Sequence, residues 1–462
     1  MKKTIAIICL AIGFSCNKPT DPKKVETWLA ILDDNCAAHY AETGGPAKQV
    51  CKEAIAKLTE LNDKAALQHL HQLLKTQSPM QSDIAALLGN YRDPSSVEPL
   101  IATIDFMVGK GNSAETKAIN ATNEKIAVAL GKIGDKKAIV PLTELMNKSR
   151  DEYVILSSVR SLGELRAEDS VDGLGKIATT HEQPFVRKNA VIALGNIGSS
   201  KAIHYLIQTL FIEYNGVSFY PESSFALYQI GPAVVDKIIE TMEFKNEEIN
   251  KMFEKKGWQK EAIVAKCAVV LGDLRVEKAL SNLLNALKSE DPVVQSQAAF
   301  ALGRLGKPEA IPQLISLAQS FDASEREFAL GALNLIGDRT IAQKLLSTLT
   351  VEQFVASCVK DGGFPKDMCE TDIESKSNAI RASAEALTQL GDETFAESFA
   401  KLLDTTKDSN IKNVLETEGV RAKLVSECKN DALCYQSKLN DSNWRIREKA
   451  AYELGRMQAQ NS

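Results

Sequence analysis

Histidine, aromatics and the signatures of catalysis are what this 462-residue chain has least of. Its five histidines, at positions 39, 69, 71, 181 and 204, form no HExxH pair and no metal-ligand spacing. His69 and His71 stand two apart on a helical stretch, so they do not face each other and read as solvated side chains. There is no GxSxG, no Walker A sequence and no GxGxxG with an acidic residue at the expected distance. GKGNS at 109–113 is Gly-rich but follows no strand, so it reads as a flexible insert rather than a phosphate loop. The formal net charge of −5 lacks the basic surplus of a nucleic-acid binder. No catalytic residue, cofactor, metal site or nucleic-acid partner is therefore expected. Aromatics supply only 6% of residues while Ala and Leu are plentiful, which favours packed helices over sheet.

What the chain does have is repetition. ALGKIGDKKAIVPL at 129–142 returns as ALGNIGSSKAIHYL at 193–206, ALGRLGKPEAIPQL at 301–314 and ALNLIGDRTIAQKL at 332–345. In 293–318, Val294, Ala298, Ala301, Leu302 and Leu305 recur at helical spacing, Gly306 suits a left-handed helix end, and Pro308 suits the start of a second helix. Ile311, Leu314, Ile315 and Ala318 give that second helix an apolar face, and Pro312 should bend it near its start. The position of Gly303 has equivalents at Gly89, Gly131, Gly163, Gly195, Tyr228, Gly272, Asn334, Thr388 and Gly455. Five of the nine separations fall between 31 and 33 residues, so the period is genuine and interrupted by insertions. A glycine inside a helix costs about 1 kcal/mol relative to alanine, so its recurrence implies close helix approach. Arg92, Arg166 and Arg275 replace the turn glycine in three units, where a more strained turn is expected. Asp135, Ser199, Asp338 and Asp392 are helix-start signals.

Over about residues 80–460 these units resemble HEAT repeats, especially the short HEAT-like form associated with phycobilisome lyases. The resemblance implies an all-α, right-handed α-solenoid of stacked antiparallel helix pairs, with first helices on the convex face and second helices on the concave one. Deoxyhypusine hydroxylase is similar in architecture and carries His-Glu pairs in its first helices. Register on the ALG phrase puts Lys188 and Asn189, Ser296 and Gln297, Glu124 and Lys125, and Glu448 and Lys449 at those positions, which excludes that enzyme. Asp151, Asp291 and Asp441 precede first helices, and Arg187, Arg381 and Arg447 lie within them. In HEAT-like proteins such sets tie adjacent repeats.

The leader MKKTIAIICLAIGFSC has a basic start and an apolar run, Thr4–Phe14, too short to span a bilayer. It resembles a bacterial lipoprotein signal, which implies cleavage before Cys16, lipidation there, and an anchor in the cell envelope. By the same resemblance, Asn17 after the cysteine implies the outer membrane, facing the periplasm. Ordinary signal cleavage after Ser15 is the alternative. The expected organisation is a signal peptide at 1–15, a lipidated tether at 16–24, a helical N-terminal cap at 25–77 and the solenoid at 78–462. Insertions fall near 105–122, 243–261, 350–379 and 404–440. In an oxidising compartment Cys36–Cys51, Cys358–Cys369 and Cys428–Cys434 are expected disulfides, each worth about 2–4 kcal/mol, and Cys267 is a buried core residue.

Seven of the 27 aromatics lie within 205–228. Phe211, Phe225 and Tyr228 have helical context and read as core, whereas Tyr214, Phe219 and Tyr220 lie in a connection and are the candidate partner-binding residues. The other reading is that these three fold back and cap the core. Together these features predict a non-catalytic scaffold that binds one or more envelope proteins along an extended surface. The alternatives are a peptide or glycan carrier, or an enzyme whose site is built from the inserts.

Overall fold

The repeats fold into helix pairs in a computed structural model that describes residues 21–39, 46–76, 80–106, 113–320, 322–337, 351–360, 362–371, 373–390, 394–407, 409–429 and 431–461. The leader, Cys16, Asp338 and Asp392 lie outside these residues. The chain divides into two compact units, Met1–Val234 and Val235–Ser462. In the first, the helices Gln81–Tyr91, Ala114–Ile133, Glu152–Glu164, Pro184–Ile197 and Tyr220–Ile230 each pack against the next. In the second, Glu261–Leu274, Pro292–Leu305, Ala323–Ile336, Ile373–Leu390, Ser409–Cys428 and Trp444–Asn461 do the same. Shorter second helices, such as Ile139–Lys148, Val171–Thr180 and Ile311–Ala318, cover the first helix that follows. The fold is an all-α solenoid.

The ALG phrase is a socket and its plug. A methyl group at Gly89 would sit 2.7 Å from the Cα of Ala129, at Gly163 2.9 Å from Ala193, at Gly272 2.6 Å from Ala301 and at Gly303 2.9 Å from Ala332. Gly195 meets Ala226 in the same way. In each case the glycine of one repeat receives the alanine that opens the same phrase in the next. Gly131 instead faces Ser161, whose hydroxyl donates to the Ala127 carbonyl at 2.7 Å. The leucines between plug and socket, among them Leu130, Leu162, Leu194, Leu302 and Leu333, are buried. Helix-breaking glycine is thus offset by backbone contact between neighbours.

Gly134, Gly198, Gly306 and Gly337 end first helices with φ between 68° and 82°. Arg92, Arg166 and Arg275 do so at φ 51°, a conformation that costs an L side chain about 1–2 kcal/mol. The turns at Arg92, Gly134, Arg166, Gly198, Arg275 and Gly306 each lead into a single 3-10 turn, in which Asp93, Asp135 or Ser199, where those residues occur, caps one N–H. This extra turn corrects the expectation for Pro312. The second helix begins at Ile311, so Pro312 falls in its first turn, where a missing N–H breaks no bond and forces no bend.

Of the Asp and Arg residues at helix starts, Asp151 ties adjacent repeats, accepting from the Asn120 amide on the preceding first helix at 3.3 Å, while most of their other bonds stay within a repeat. Asp151 and Asp291 cap their own helices through two N–H groups each. Arg187, Arg326 and Arg447 each donate to the carbonyl six residues earlier, at His181, Ser320 and Asp441, and so clamp the loop that enters the helix. Neighbouring layers are tied by exposed Lys137–Glu98, Lys201–Glu168 and Lys307–Glu277 pairs, individually worth about 0–1 kcal/mol.

Cys36–Cys51 joins the helices Val25–His39 and Pro46–Leu61, Cys358–Cys369 joins Val351–Lys360 to Lys366–Thr371, and Cys428–Cys434 closes the turn after Ser409–Cys428. Cys267 is free and buried, and burial pushes its thiol pKa up. The insertion near 404–440 holds a layer of the stack: Ser409–Cys428 lies between Ile373–Leu390 and Trp444–Asn461.

The packing sets two opposite outcomes for glycine. Gly272→Ala should destabilise the fold by about 1–3 kcal/mol, because the rigid Ala301 backbone blocks the new methyl. Gly455→Ala, with nothing within 4 Å of the new methyl, should stabilise it by about 0.5–1 kcal/mol. Urea denaturation measures both. Cys267 should resist alkylation in the folded protein and react after denaturation, read by peptide mass spectrometry.

Candidate functional site

Glu213–Tyr214 and Val217–Ser218 form a two-stranded antiparallel hairpin. Asn215 and Gly216 both have positive φ, 51° and 73°, as a tight two-residue hairpin turn requires. The Tyr214 ring lies under the Arg187 guanidinium, 4.1 Å from it, and Arg187 is itself buried and clamped to the His181 carbonyl. Burial lowers the pKa of Arg187, with the Tyr214 charge opposing the shift. Tyr214 is half-buried, and Tyr220 is half-buried at the head of Tyr220–Ile230. Phe219 is completely buried and offers no surface to a partner. Pro221 occupies the first turn of that helix, so it starts the element rather than breaking it.

The exposed aromatics are the two assigned to the core from sequence. Phe225 is 61% and Tyr228 51% exposed, with their rings stacked at 6.5 Å. The helix turns Ser223, Ser224, Ala226 and Leu227 inward, and Phe225 and Tyr228, three apart, share the opposite side. Phe211 is buried as expected.

These rings belong to a larger surface. The glycine–alanine contacts hold consecutive first helices in register, so equivalent positions line up across them. Three residues before the repeat glycine stand Arg160, Ile192 and Phe225, and seven residues further back stand Tyr153 and Phe185. Seven residues are two helical turns, which puts both positions on one side of the helix. Tyr153, Phe185, Ile192, Phe225 and Tyr228 are all exposed on three adjacent helices. Between them Arg160 donates to Asn189 at 2.8 Å, and Lys188 pairs with Glu222 at 2.6 Å. Sequence reading missed this face because a single helix does not show which side its neighbours will cover.

Among the described residues no group of three or more His, Cys, Asp or Glu could hold a metal ion. Three of the histidines are engaged singly. His69 lies 2.9 Å from Asp33, His71 2.9 Å from Ser96, and the His181 Nδ1 accepts from the Gln183 N–H. The solvated reading of His71 is corrected: it is partly buried, and burial lowers its pKa. One cleft in the second unit is lined by Glu385, Glu418, Arg421, Glu448, Lys449 and Tyr452.

A family model described as HEAT repeats matches residues 148–211 and 261–354. No curated protein matches the chain by sequence. Among solved structures, Kap121p is 11% identical with a TM-score of 0.57, the match covering 99% of this chain and 54% of that one. Kap121p bound to Pho4p is 12% identical with a TM-score of 0.55, covering 100% and 54%. This chain therefore spans about half the length of Kap121p. Human deoxyhypusine hydroxylase in complex with glycerol is 18% identical with a TM-score of 0.26, covering 68% and 96%. At 11–12% identity the likeness to Kap121p is one of fold.

Replacing Arg187 by Leu should cost about 1–3 kcal/mol in denaturant melts, because the His181 carbonyl loses its charged donor. Residues 148–211 and 261–354 match HEAT repeats, and the described helices form an all-α solenoid similar in fold to Kap121p.

Proposed function

We propose that this chain is an exported, lipid-anchored, non-catalytic scaffold that holds an envelope protein on the apolar face of its first unit. The observation that carries the reading is the set of five exposed large apolar residues, Tyr153, Phe185, Ile192, Phe225 and Tyr228, on three adjacent helices held in register. Soluble surfaces seldom gather such residues without a binding role, and aromatic side chains on a rigid support are strong anchors. HEAT solenoids are typically protein-interaction scaffolds, and Kap121p bound to Pho4p is a neighbour in fold. Half-buried Tyr214 and Tyr220 border the face through the hairpin and its following helix. Export and anchoring rest on the leader MKKTIAIICLAIGFSC, with Cys16 as the lipidated residue and the outer membrane as the site. Three disulfides are consistent with an oxidising compartment.

Cross-linking in cells followed by mass spectrometry of co-purified proteins tests the face. Phe225→Asp with Tyr228→Asp should lose the partners while leaving the melting temperature within about 2 °C, since surface substitutions cost little. Partners retained by that variant would overturn the assignment. Mass spectrometry of the mature N-terminus tests the anchor, and an unmodified Cys16 would remove it.

A further inference from the structure

The last first helices of the second unit depart from the packing rule of the others. At the position where neighbouring phrases place alanine, Trp444–Asn461 carries Glu453, buried beside Lys449 with their charged atoms 2.8 Å apart. Next to this pair Arg421 donates to Glu418 on its own helix and to Glu448 on the next, each at 2.5 Å. Buried ion pairs commonly stabilise no more than the apolar packing they replace. The Nε of Arg421 is shielded from solvent and makes no hydrogen bond, which adds a further penalty. Between Ile373–Leu390, Ser409–Cys428 and Trp444–Asn461 opens a cleft of about 260 Å³, lined by Glu385, Glu418, Arg421, Glu448, Lys449 and Tyr452.

Among the described residues every charged side chain in that lining except one has an ionic partner. Glu418 and Glu448 share Arg421, and Lys449 holds Glu453. Among the described residues Glu385 has neither an ion pair nor a hydrogen bond; the residue is exposed, and partial desolvation by the cleft, followed by the nearby Glu418 charge, pushes its carboxyl pKa up. Arg421, Arg381 on its own helix and Lys449 act against that shift without cancelling it. Tyr452 is half exposed, and its ring already faces one cation, Lys449 Nζ at 4.8 Å. With Glu418 and Glu448 committed to Arg421, the cleft lacks the second free carboxyl that acid–base hydrolysis needs.

We infer that this cleft binds one organic cation, a primary ammonium or guanidinium group, through the Glu385 carboxylate and the Tyr452 ring. Negative charge is in surplus here, since Glu418 and Glu448 share one guanidinium and Lys449 is set against Glu453, and the volume suits a single basic side chain or a small diamine. The same chemistry could come from a free amine or from a lysine or arginine of a protein partner. The cleft lies in the second unit and stands independently of the apolar face proposed for the first.

Calorimetric titration of the full chain at low salt with cadaverine, N-acetyl-lysine methylamide and N-acetyl-leucine methylamide tests it. Both cations should bind and raise the melting temperature, and the leucine amide should do neither. Glu385→Gln should weaken cation binding at least tenfold. Because the folded pKa of Glu385 lies above its unfolded value, the folded state holds more protons in the window between them. Native stability should therefore fall as pH rises through that window, and Glu385→Gln should flatten the fall and melt higher at pH 7.5. Glu247→Gln, at an exposed pair with Lys251, should bind like the parent protein. Binding of the lysine amide alone assigns the site to a partner's side chain, and binding of cadaverine alone assigns it to a free diamine; either result supports a cation site. No cation binding by the natively melting parent, equal binding by Glu385→Gln, or an equal loss in Glu247→Gln would overturn it.

Discussion

The contact between the glycine of one repeat and the alanine of the next governs the rest of this structure. With no side chain on one helix and a single methyl on the other, first helices approach until backbone meets methyl. That distance leaves no freedom to slip, because a shift along the helix axis would drive a larger side chain into the socket. Fixed register is what aligns equivalent positions from helix to helix, so a solvent-facing residue in one repeat has a neighbour of the same rank in the next. An extended surface follows from a local steric rule applied repeatedly.

The two units use that rule differently. In the first, the aligned outer positions carry Tyr153, Phe185, Ile192, Phe225 and Tyr228, and the charged groups among them are engaged in the Lys188–Glu222 pair and the Arg160–Asn189 bond. In the second, toward the end of the array, Glu453 takes the alanine position and a charged cleft opens instead. Apolar anchors and uncompensated charge are two distinct ways for a rigid scaffold to favour a partner, the first through desolvation and the second through pairing.

Much of the fold could be read from the chain before any coordinates. The period, the turn glycines, the strained Arg92, Arg166 and Arg275, and the buried Cys267 are local properties or properties of one helix face. The misreadings share another cause. Pro312 was expected to bend the second helix near its start because apolar spacing does not mark the 3-10 turn that precedes Ile311. Arg187 and its equivalents were given a role between repeats, yet their bonds end on a carbonyl six residues back, a contact that has no side-chain signature. The layer Ser409–Cys428 was taken for an insertion because its sequence lacks the ALG phrase, although its apolar residues bury it like the others.

By itself the sequence determined the repeat, the helix pair and the need for neighbouring helices to touch, because period, glycine placement and capping act over a few residues of chain. Only the tertiary structure decided which faces stay open. Phe219 and Phe225 are the same residue type six positions apart, and one is wholly buried while the other is exposed. Glu385 and Glu418, on different helices, come to share one cleft. The physical reason is that exposure and electrostatic neighbourhood are set by what packs from other helices, and that information is distributed over the stack rather than written at the residue itself.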